Sequence, residues 1–206
     1  IVVGLEVVLA DGRTIRTGGQ PREAVGPDLT RLFVGAEGTL GVVTRAWLQA
    51  WPTPTGQGRS AWGFASFADG LETMRRMVRR GAAPAVLRLY DGIESERNFG
   101  VDRSVNVLLA YDEGDQVLVD ATMAVAAQEC EATGSTRLGD DLVDKWFGHR
   151  NDVAALESYI SKGFVVDTLE FSAPWSALRA IYTETIAAMS AVPGSVLVSA
   201  HQSHSY

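Results

Sequence analysis

The sequence predicts an α+β protein built from two units of unequal size. Strand and helix patterns alternate along residues 61–200, and no Rossmann glycine fingerprint accompanies them. Repeated β-α-β patterns without that fingerprint indicate a ferredoxin-like layer. A segment rich in proline and glycine, with the composition of a linker, precedes residues 61–200. It predicts a boundary between two units, 1–55 and 56–206. The prolines and glycines of that segment are Pro52, Pro54, Gly56 and Gly58.

The first unit opens with a β-hairpin. Residues 2–9 and 14–17 have strand patterns, and Asp11-Gly12 between them supplies the positive φ values that short hairpin turns require. Pro27 and Asp28 then begin a short helix. A strand follows, predicted over residues 40–51.

The second unit is predicted to contain five strands and three helices. The strand patterns cover residues 61–67, 85–90, 105–111, 164–171 and 196–200. The helix patterns cover residues 68–80, 115–133 and 174–191. Residues 134–162 are predicted to be irregular.

Composition and charge exclude several classes of function. The 206 residues include 18 Lys and Arg against 25 Asp and Glu, and the net charge of −7 argues against binding nucleic acid or an anionic membrane. No apolar run is long enough for a spanning helix, and the single Cys130 forms no internal disulfide. We therefore expect a cytoplasmic protein with a small-molecule substrate, and a homodimer is left open. Three histidines and one cysteine without ligand spacing predict no metal site.

The segment Gly35–Thr44 carries the main indication of function. Three glycines, a carboxylate and a hydroxyl precede a β-branched run, so the segment is predicted to be a tight turn whose backbone approaches a ligand closely. The alternative is that the glycines only shape a loop between a helix and a strand.

Together with Gly26–Val34, this segment resembles the second half of the FAD-binding domain of the vanillyl-alcohol oxidase (PCMH) type of flavoenzyme. D-lactate dehydrogenases, glycolate oxidase subunits and alkyldihydroxyacetonephosphate synthases belong to that type. The resemblance implies the C-terminal half of a PCMH-type domain, followed by a ferredoxin-like cap that binds the substrate. It also implies that FAD is the cofactor. The cofactor contacts it assigns are Glu37, Gly38, Thr39, Leu40, Gly41, Val42 and Val43.

Because the chain starts as a strand without Met, we expect a fragment whose missing first half holds the pyrophosphate loop. Residues 85–91, 169–175 and 201–206 resemble stretches of the synthase cap. They favour an acyl-for-alkyl exchange through a flavin adduct in ether-lipid synthesis. The alternative is an FAD-dependent dehydrogenase or oxidase of a 2-hydroxy acid such as D-lactate or glycolate. A more distant alternative is a non-catalytic interaction module.

Three residues are candidates for catalysis. His201 and His204 lie near the end of a predicted strand, where a neutral imidazole would take a proton from the substrate. The alternative for both is a hydrogen-bonded strand end. The family's substrate-binding arginine falls on Leu156, so Arg150, six residues earlier, is the candidate that would bind a phosphate or carboxylate.

Overall fold

Antiparallel strand pairing organises both parts of the chain, and the predicted α+β class is confirmed. The computed structural model describes residues 1–20, 26–152 and 154–203. The chain divides into two compact units, Ile1–Thr53 and Pro54–Tyr206. Among the described residues, no helix combines the length and apolarity that a membrane crossing demands.

The first unit is a three-stranded sheet with one short helix. Strands β1 (Val2–Val8), β2 (Thr14–Gly18) and β3 (Val42–Leu48) pair in the order β2-β1-β3. Helix α1 (Leu29–Phe33) begins after Asp28, whose side chain accepts a hydrogen bond from the Arg31 N–H. The predicted hairpin, helix and strand are therefore all present.

The second unit contains a five-stranded sheet, a short helix between two of its strands, and helices packed beside it. Its elements are β4 (Gly56–Phe64), α2 (Phe67–Arg79), β5 (Val86–Tyr90), α3 (Gly92–Phe99), β6 (Asn106–Gly114), α4 (Gln116–Ala132), β7 (Thr136–Leu138), α5 (Asp141–His149), α6 (Ala154–Ile160), α7 (Trp175–Ser190) and β8 (His201–Gln202). The sheet order is β7-β4-β6-β5-β8, and each pair of neighbouring strands is antiparallel. The series β4-α2-β5-β6-α4-β7 is the ferredoxin-like arrangement, and β8 adds a fifth strand beside β5.

The two faces of this sheet bury separate cores. One face packs on α2 and α4 around Met74, Leu89 and Leu108. The other face packs with residues of α3 and α5, and its members include Tyr90 and Val107. Successive side chains of β5 point to opposite faces, so Leu89 belongs to the helical side and Tyr90 to the other.

Gly56 and Gly58 were predicted to lie in a linker, but the structure places both in strand β4. A Cβ atom at Gly58 would lie 2.5 Å from Met123 Cγ and 3.0 Å from Val119 Cγ1, both on α4. The glycine is present because α4 lies directly against the strand at this point. Glycines are typical both of linkers and of strands against which a helix packs closely, so composition alone does not distinguish the two.

The predicted strands at 164–171 and 196–200 are wrong, since the structure has no regular element there and places β8 at His201–Gln202. β-branched and aromatic residues favour strands only where neighbouring strands and a core receive them. Val165 is instead 96% exposed. Residues 134–162 are more regular than predicted, because β7, α5 and α6 lie within them.

Candidate functional site

The glycine loop of the first unit connects α1 to β3 through two tight turns. The Ala36 N–H donates to the Phe33 carbonyl (3.2 Å), and the Thr39 N–H and hydroxyl both donate to the Ala36 carbonyl (2.9 and 2.6 Å). Glu37, inside the second turn, has φ of 50°, the one positive value at a non-glycine among the described residues. Such backbone conformations are uncommon outside glycine and occur often at functional sites.

The glycines of this loop have different roles. A Cβ atom at Gly41 would lie 2.7 Å from Val7 Cγ1 and 2.8 Å from the Val8 carbonyl oxygen, so Gly41 is required by packing on β1. Gly38, with φ of 78°, has no described atom within 4 Å of where its Cβ would be. The backbone at Gly38 is therefore open to an approaching molecule.

The residues of the loop fit a flavin nucleotide. In the part of the chain that the structure describes, five of its N–H groups donate no hydrogen bond: those of Gly35, Glu37, Gly38, Leu40 and Gly41. Unpaired N–H groups beside glycines suit an anionic or carbonyl-rich ligand. Leu40, Val42 and Val43 are 44%, 64% and 46% exposed and offer apolar surface to a flat ring. The Glu37 carboxylate suits a hydroxyl or N–H donor rather than a phosphate.

In the second unit, His201 is held by a carboxylate on α3. Its Nδ1 lies 3.0 Å from Glu94 Oε2, and the Glu94 side chain is mostly buried. A carboxylate only accepts hydrogen bonds, so Nδ1 carries the proton and Nε2 is left as an acceptor when the ring is neutral. Glu94 also pairs with Arg97 through its other oxygen (3.1 Å).

Asp91 fixes both α3 and the segment before His201. Its Oδ1 accepts from the Glu94 N–H (2.9 Å) and caps α3, while its Oδ2 accepts from the Ala200 N–H (2.7 Å). The Asp91 N–H donates back to the Ala200 carbonyl (3.0 Å). Burial raises the pKa of Asp91 above its ordinary value, although these N–H groups oppose the shift. Asp91 therefore positions His201 and Glu94 together.

Tyr90 lies between the histidine and an arginine. Its ring centre is 5.4 Å from that of His201, and the Arg88 guanidinium carbon is 5.6 Å from it. Burial raises the pKa of Tyr90 to about 12, so the phenol stays protonated at neutral pH.

Arg150 lies at the end of α5, against two aromatic rings. Its guanidinium carbon is 5.3 Å from the Trp146 ring centre and 5.1 Å from that of Phe147. Both rings pack against the core on this side of the sheet. His149 instead bonds within its helix, its Nδ1 lying 2.8 Å from the Lys145 carbonyl oxygen.

The structure brings some predicted residues near others that sequence reasoning missed. His201 meets Glu94, and Arg150 shares Trp146 with Arg88. His204 lies outside the described residues, as does the side chain of Leu156. Arg88 lies in the stretch 85–91 that resembles the synthase cap but was not singled out there. Glu94 carried no motif of its own, and the signal that could have found it was Asp91-Gly92 at the end of a strand, a helix cap.

Two surface cavities of about 440 and 310 Å³ lie elsewhere in the second unit, on the helical side of its sheet. Trp62 and Met123 line the first, and Leu71 and Trp175 line the second. Neither cavity is lined by His201, Arg88 or Arg150. His201 and Arg150 are exposed in the second unit, and Arg88 is half-buried.

Comparison with known proteins assigns the family. Residues 54–206 match the model of FAD linked oxidases, C-terminal domain. The chain belongs to this family. The predicted family is thereby confirmed, and FAD is the cofactor of these oxidases.

Relatives of this FAD-linked oxidase chain include an uncharacterized FAD-linked oxidoreductase, YgcU, of Escherichia coli O157:H7. It is 30% identical over 220 residues, covering 100% of this chain and 45% of the relative. Glycolate oxidase subunit GlcD of Bacillus subtilis is 36% identical over 137 residues, covering 63% of this chain and 29% of the relative. The chain thus spans less than half the length of the curated relatives it matches.

Solved structures show the same fold. A structure of alkyldihydroxyacetonephosphate synthase matches with a TM-score of 0.79 at 20% identity, covering 100% of this chain and 44% of that chain. At this identity the match establishes the fold and no more.

Proposed function

We propose that this chain is part of an FAD-dependent oxidoreductase-type enzyme, in which the loop Glu37–Val43 contacts the flavin and residues 54–206 bind the substrate. The observation that carries the proposal is the loop itself. It combines a strained Glu37, an open backbone at Gly38 and unpaired N–H groups, in a chain of the FAD-linked oxidase family.

When bound, FAD would supply the electron chemistry that amino-acid side chains lack. The chain's own residues would bind the cofactor, orient the substrate and accept a proton from it. Gly38 would admit the cofactor to the backbone, and the free Nε2 of His201 would accept a proton from a substrate hydroxyl or C–H acid. His204 stays a candidate for the same step.

The first candidate reaction is exchange of an acyl group for a fatty alcohol on a dihydroxyacetone phosphate backbone. Three stretches of the second unit support it, since they resemble the cap of the synthases. Alkyldihydroxyacetonephosphate synthase of Caenorhabditis elegans is 33% identical over 91 residues, covering 44% of this chain and 15% of the relative. Arg150 would then bind the phosphate in place of the family's arginine.

The second candidate is oxidation of a 2-hydroxy acid such as glycolate or D-lactate. The glycolate oxidase subunit favours it, because its alignment with this chain is longer and its sequence identity higher than those of the synthase of Caenorhabditis elegans. His201 would take the hydroxyl proton, and Arg150 would bind the carboxylate.

The test is the absorption spectrum of the purified intact protein and its anaerobic response to substrates. We expect bound flavin with maxima in the visible range. Bleaching by glycolate or D-lactate would select the oxidation. Release of fatty acid from acyl-dihydroxyacetone phosphate in the presence of a fatty alcohol, with no net reduction of the flavin after turnover, would select the exchange. A protein that stays colourless after reconstitution with FAD would contradict the proposal and favour a non-catalytic module.

A further inference from the structure

Strand β4 has an open edge in its first half. On the side away from β6, it pairs with β7 only at Ala61–Gly63. Backbone groups of alternate residues in an antiparallel strand point to opposite neighbours. Those of Ala61 face Leu138 on β7, so the N–H and C=O groups of Gln57 and Arg59 face the same side. Within the described part of the chain, no strand pairs with them there.

The side chains of this edge do not block it. Natural proteins usually protect an open edge with charged side chains, proline or a bulge. The Arg59 guanidinium instead turns away to α5, where it pairs with Asp144, and its Nη2 donates to Gln57 Oε1 (3.2 Å). Gly56 and Gly58 have no side chain to place over the edge. The edge is therefore available to a further strand.

Helix α4 carries apolar residues on its outer surface. Val117 is 74% exposed, and Ala121 and Ala124, four and seven residues later, are exposed as well. This spacing places the three side chains on one side of the helix, as an outer stripe. A surface helix normally turns a polar face to water. The outer stripe of α4 thus suits contact with another protein surface.

A cavity of about 440 Å³ lies between the open edge and α4. Ser60 and Trp62 of β4 line it, together with Met123 and Ala127 of α4. The cavity connects the open edge to the side of α4 that carries the outer stripe. We call the edge at Gln57, this cavity and the outer stripe together the β4–α4 surface.

We propose that the β4–α4 surface binds the same surface of a second copy of this chain and forms a two-fold homodimer. Antiparallel strand edges are self-complementary, because a two-fold axis brings each free N–H of one copy to a free C=O of the other. An axis at Gln57 pairs the first halves of the two β4 strands, since β7 occupies the second half. The proposal is independent of the proposed reaction.

The spacing of the helices supports a second copy as the occupant. Helix α4 packs on both β4 and β6. Strands are about 4.8 Å apart, so α4 and its copy would lie about two strand spacings, roughly 10 Å, from each other. Packed helices are about 8–10 Å apart, with small side chains at the closest contacts. Ala121 and Ala124 provide such side chains.

Charge at the strand edge does not oppose this pairing. Arg59 is the one charged residue between positions 56 and 60, and Asp144 of the same copy neutralises it. Gln57 and Gly58, which lie at the axis, are uncharged. Like charges, which keep many edges apart, are therefore missing from the residues that would pair.

The experiment is sedimentation velocity of the intact protein at micromolar concentration, where we expect a dimer. Gln57→Pro removes an N–H that points away from β6, so the fold is kept and the pairing is lost. Ala124→Arg places a long cation in the helix contact. Each variant should raise the dissociation constant of the dimer about tenfold or more.

Two matched controls should leave that dissociation constant within twofold of the wild type. Gln57→Thr keeps the edge N–H, and Ala187→Arg places the same cation at an exposed alanine of α7. Circular dichroism checks that all four variants are folded. Hydrogen exchange is the second measurement: the amides of Gln57 and Arg59 should exchange slowly in the dimer and faster in Ala124→Arg.

A monomeric wild type would overturn the proposal and assign the surface to a different partner or to another part of the intact protein. A dimer whose dissociation constant changes less than twofold in both Gln57→Pro and Ala124→Arg would overturn it as well. Fast exchange of both edge amides in a wild-type dimer would show that the copies meet elsewhere.

Discussion

The Glu94 carboxylate sets which nitrogen of His201 carries the proton. Glu94→Gln replaces an acceptor-only group by one that also donates, so we expect His201 to lose its single tautomer. Nitrogen-15 NMR of the imidazole measures this, with a protonated Nδ1 in the wild type and a mixture in the variant. Glu96→Gln, two residues further along α3 and exposed, is the control. Identical imidazole spectra in wild type and Glu94→Gln would show that the carboxylate does not orient the ring.

Cys130 is buried in the helical core and is expected to be inert. Burial raises the pKa of its thiol to about 12, and only the thiolate reacts quickly with disulfide reagents. The native protein at pH 8 should therefore release no colour with a chromogenic disulfide on the time scale of minutes. The same protein in concentrated urea should react fully, and fast labelling of the native state would contradict the burial of this residue.

At the level of elements, ion pairs join α2 to α4. Arg80 Nη1 donates to Glu129 Oε1 (2.8 Å), and Arg76 Nε lies 2.6 Å from Oε2 of the same buried carboxylate. Glu129→Gln should lower the free energy of unfolding by about 1–2 kcal/mol at pH 7, since both arginines are partly exposed.

This contribution depends on pH in a defined direction. The Arg80 hydrogen bond lowers the pKa of Glu129, so its stabilisation is present above the unfolded value, about 4.3, and is lost as pH falls through the folded value. The free energies of unfolding of wild type and Glu129→Gln, measured with urea, should differ at pH 7, and the difference should shrink as the pH falls below the unfolded value. A difference that is the same at both pH values would rule out the ion pair as its source.

Glycines within helices test the packing of α3 and α5 separately. A Cβ atom at Gly92, the first residue of α3, would overlap the Arg103 carbonyl oxygen, whereas Gly148 in α5 has open space. We expect Gly92→Ala to destabilise the protein by about 1–3 kcal/mol and Gly148→Ala to stabilise it by roughly 0.5–1 kcal/mol. Thermal unfolding followed by circular dichroism checks the opposite signs, and two shifts of the same sign would contradict the packing.

The same elements show what the sequence could predict. Helices α2, α4 and α7 were predicted to within a few residues, because long periodic patterns depend on their own composition. Gly58 was misread, since only the approach of α4 explains it. Arg88 and Glu94 were missed for a related reason: their roles depend on Trp146 and His201, which lie far along the chain.

At the scale of the whole molecule, the ferredoxin-like arrangement of the second unit was predictable. The last strand was predicted at residues 196–200, whereas the structure has β8 at His201–Gln202. Short edge strands such as β8 are set by pairing with a neighbour rather than by their own residues, here Tyr90 with His201. The chain covers 45% of the length of the Escherichia coli relative, so the flavin claim has to be tested in the intact protein.

The most direct measurement is the FAD content of two glycine variants of the intact protein. Gly38 and Gly12 both have positive φ, 78° and 83°, and neither has a described atom near its Cβ position. Replacement by valine therefore imposes similar backbone strain at both sites. We predict that Gly38→Val lowers the ratio of bound FAD to protein severalfold while Gly12→Val keeps the wild-type ratio. Equal FAD content in the two variants would contradict contact between this loop and the flavin.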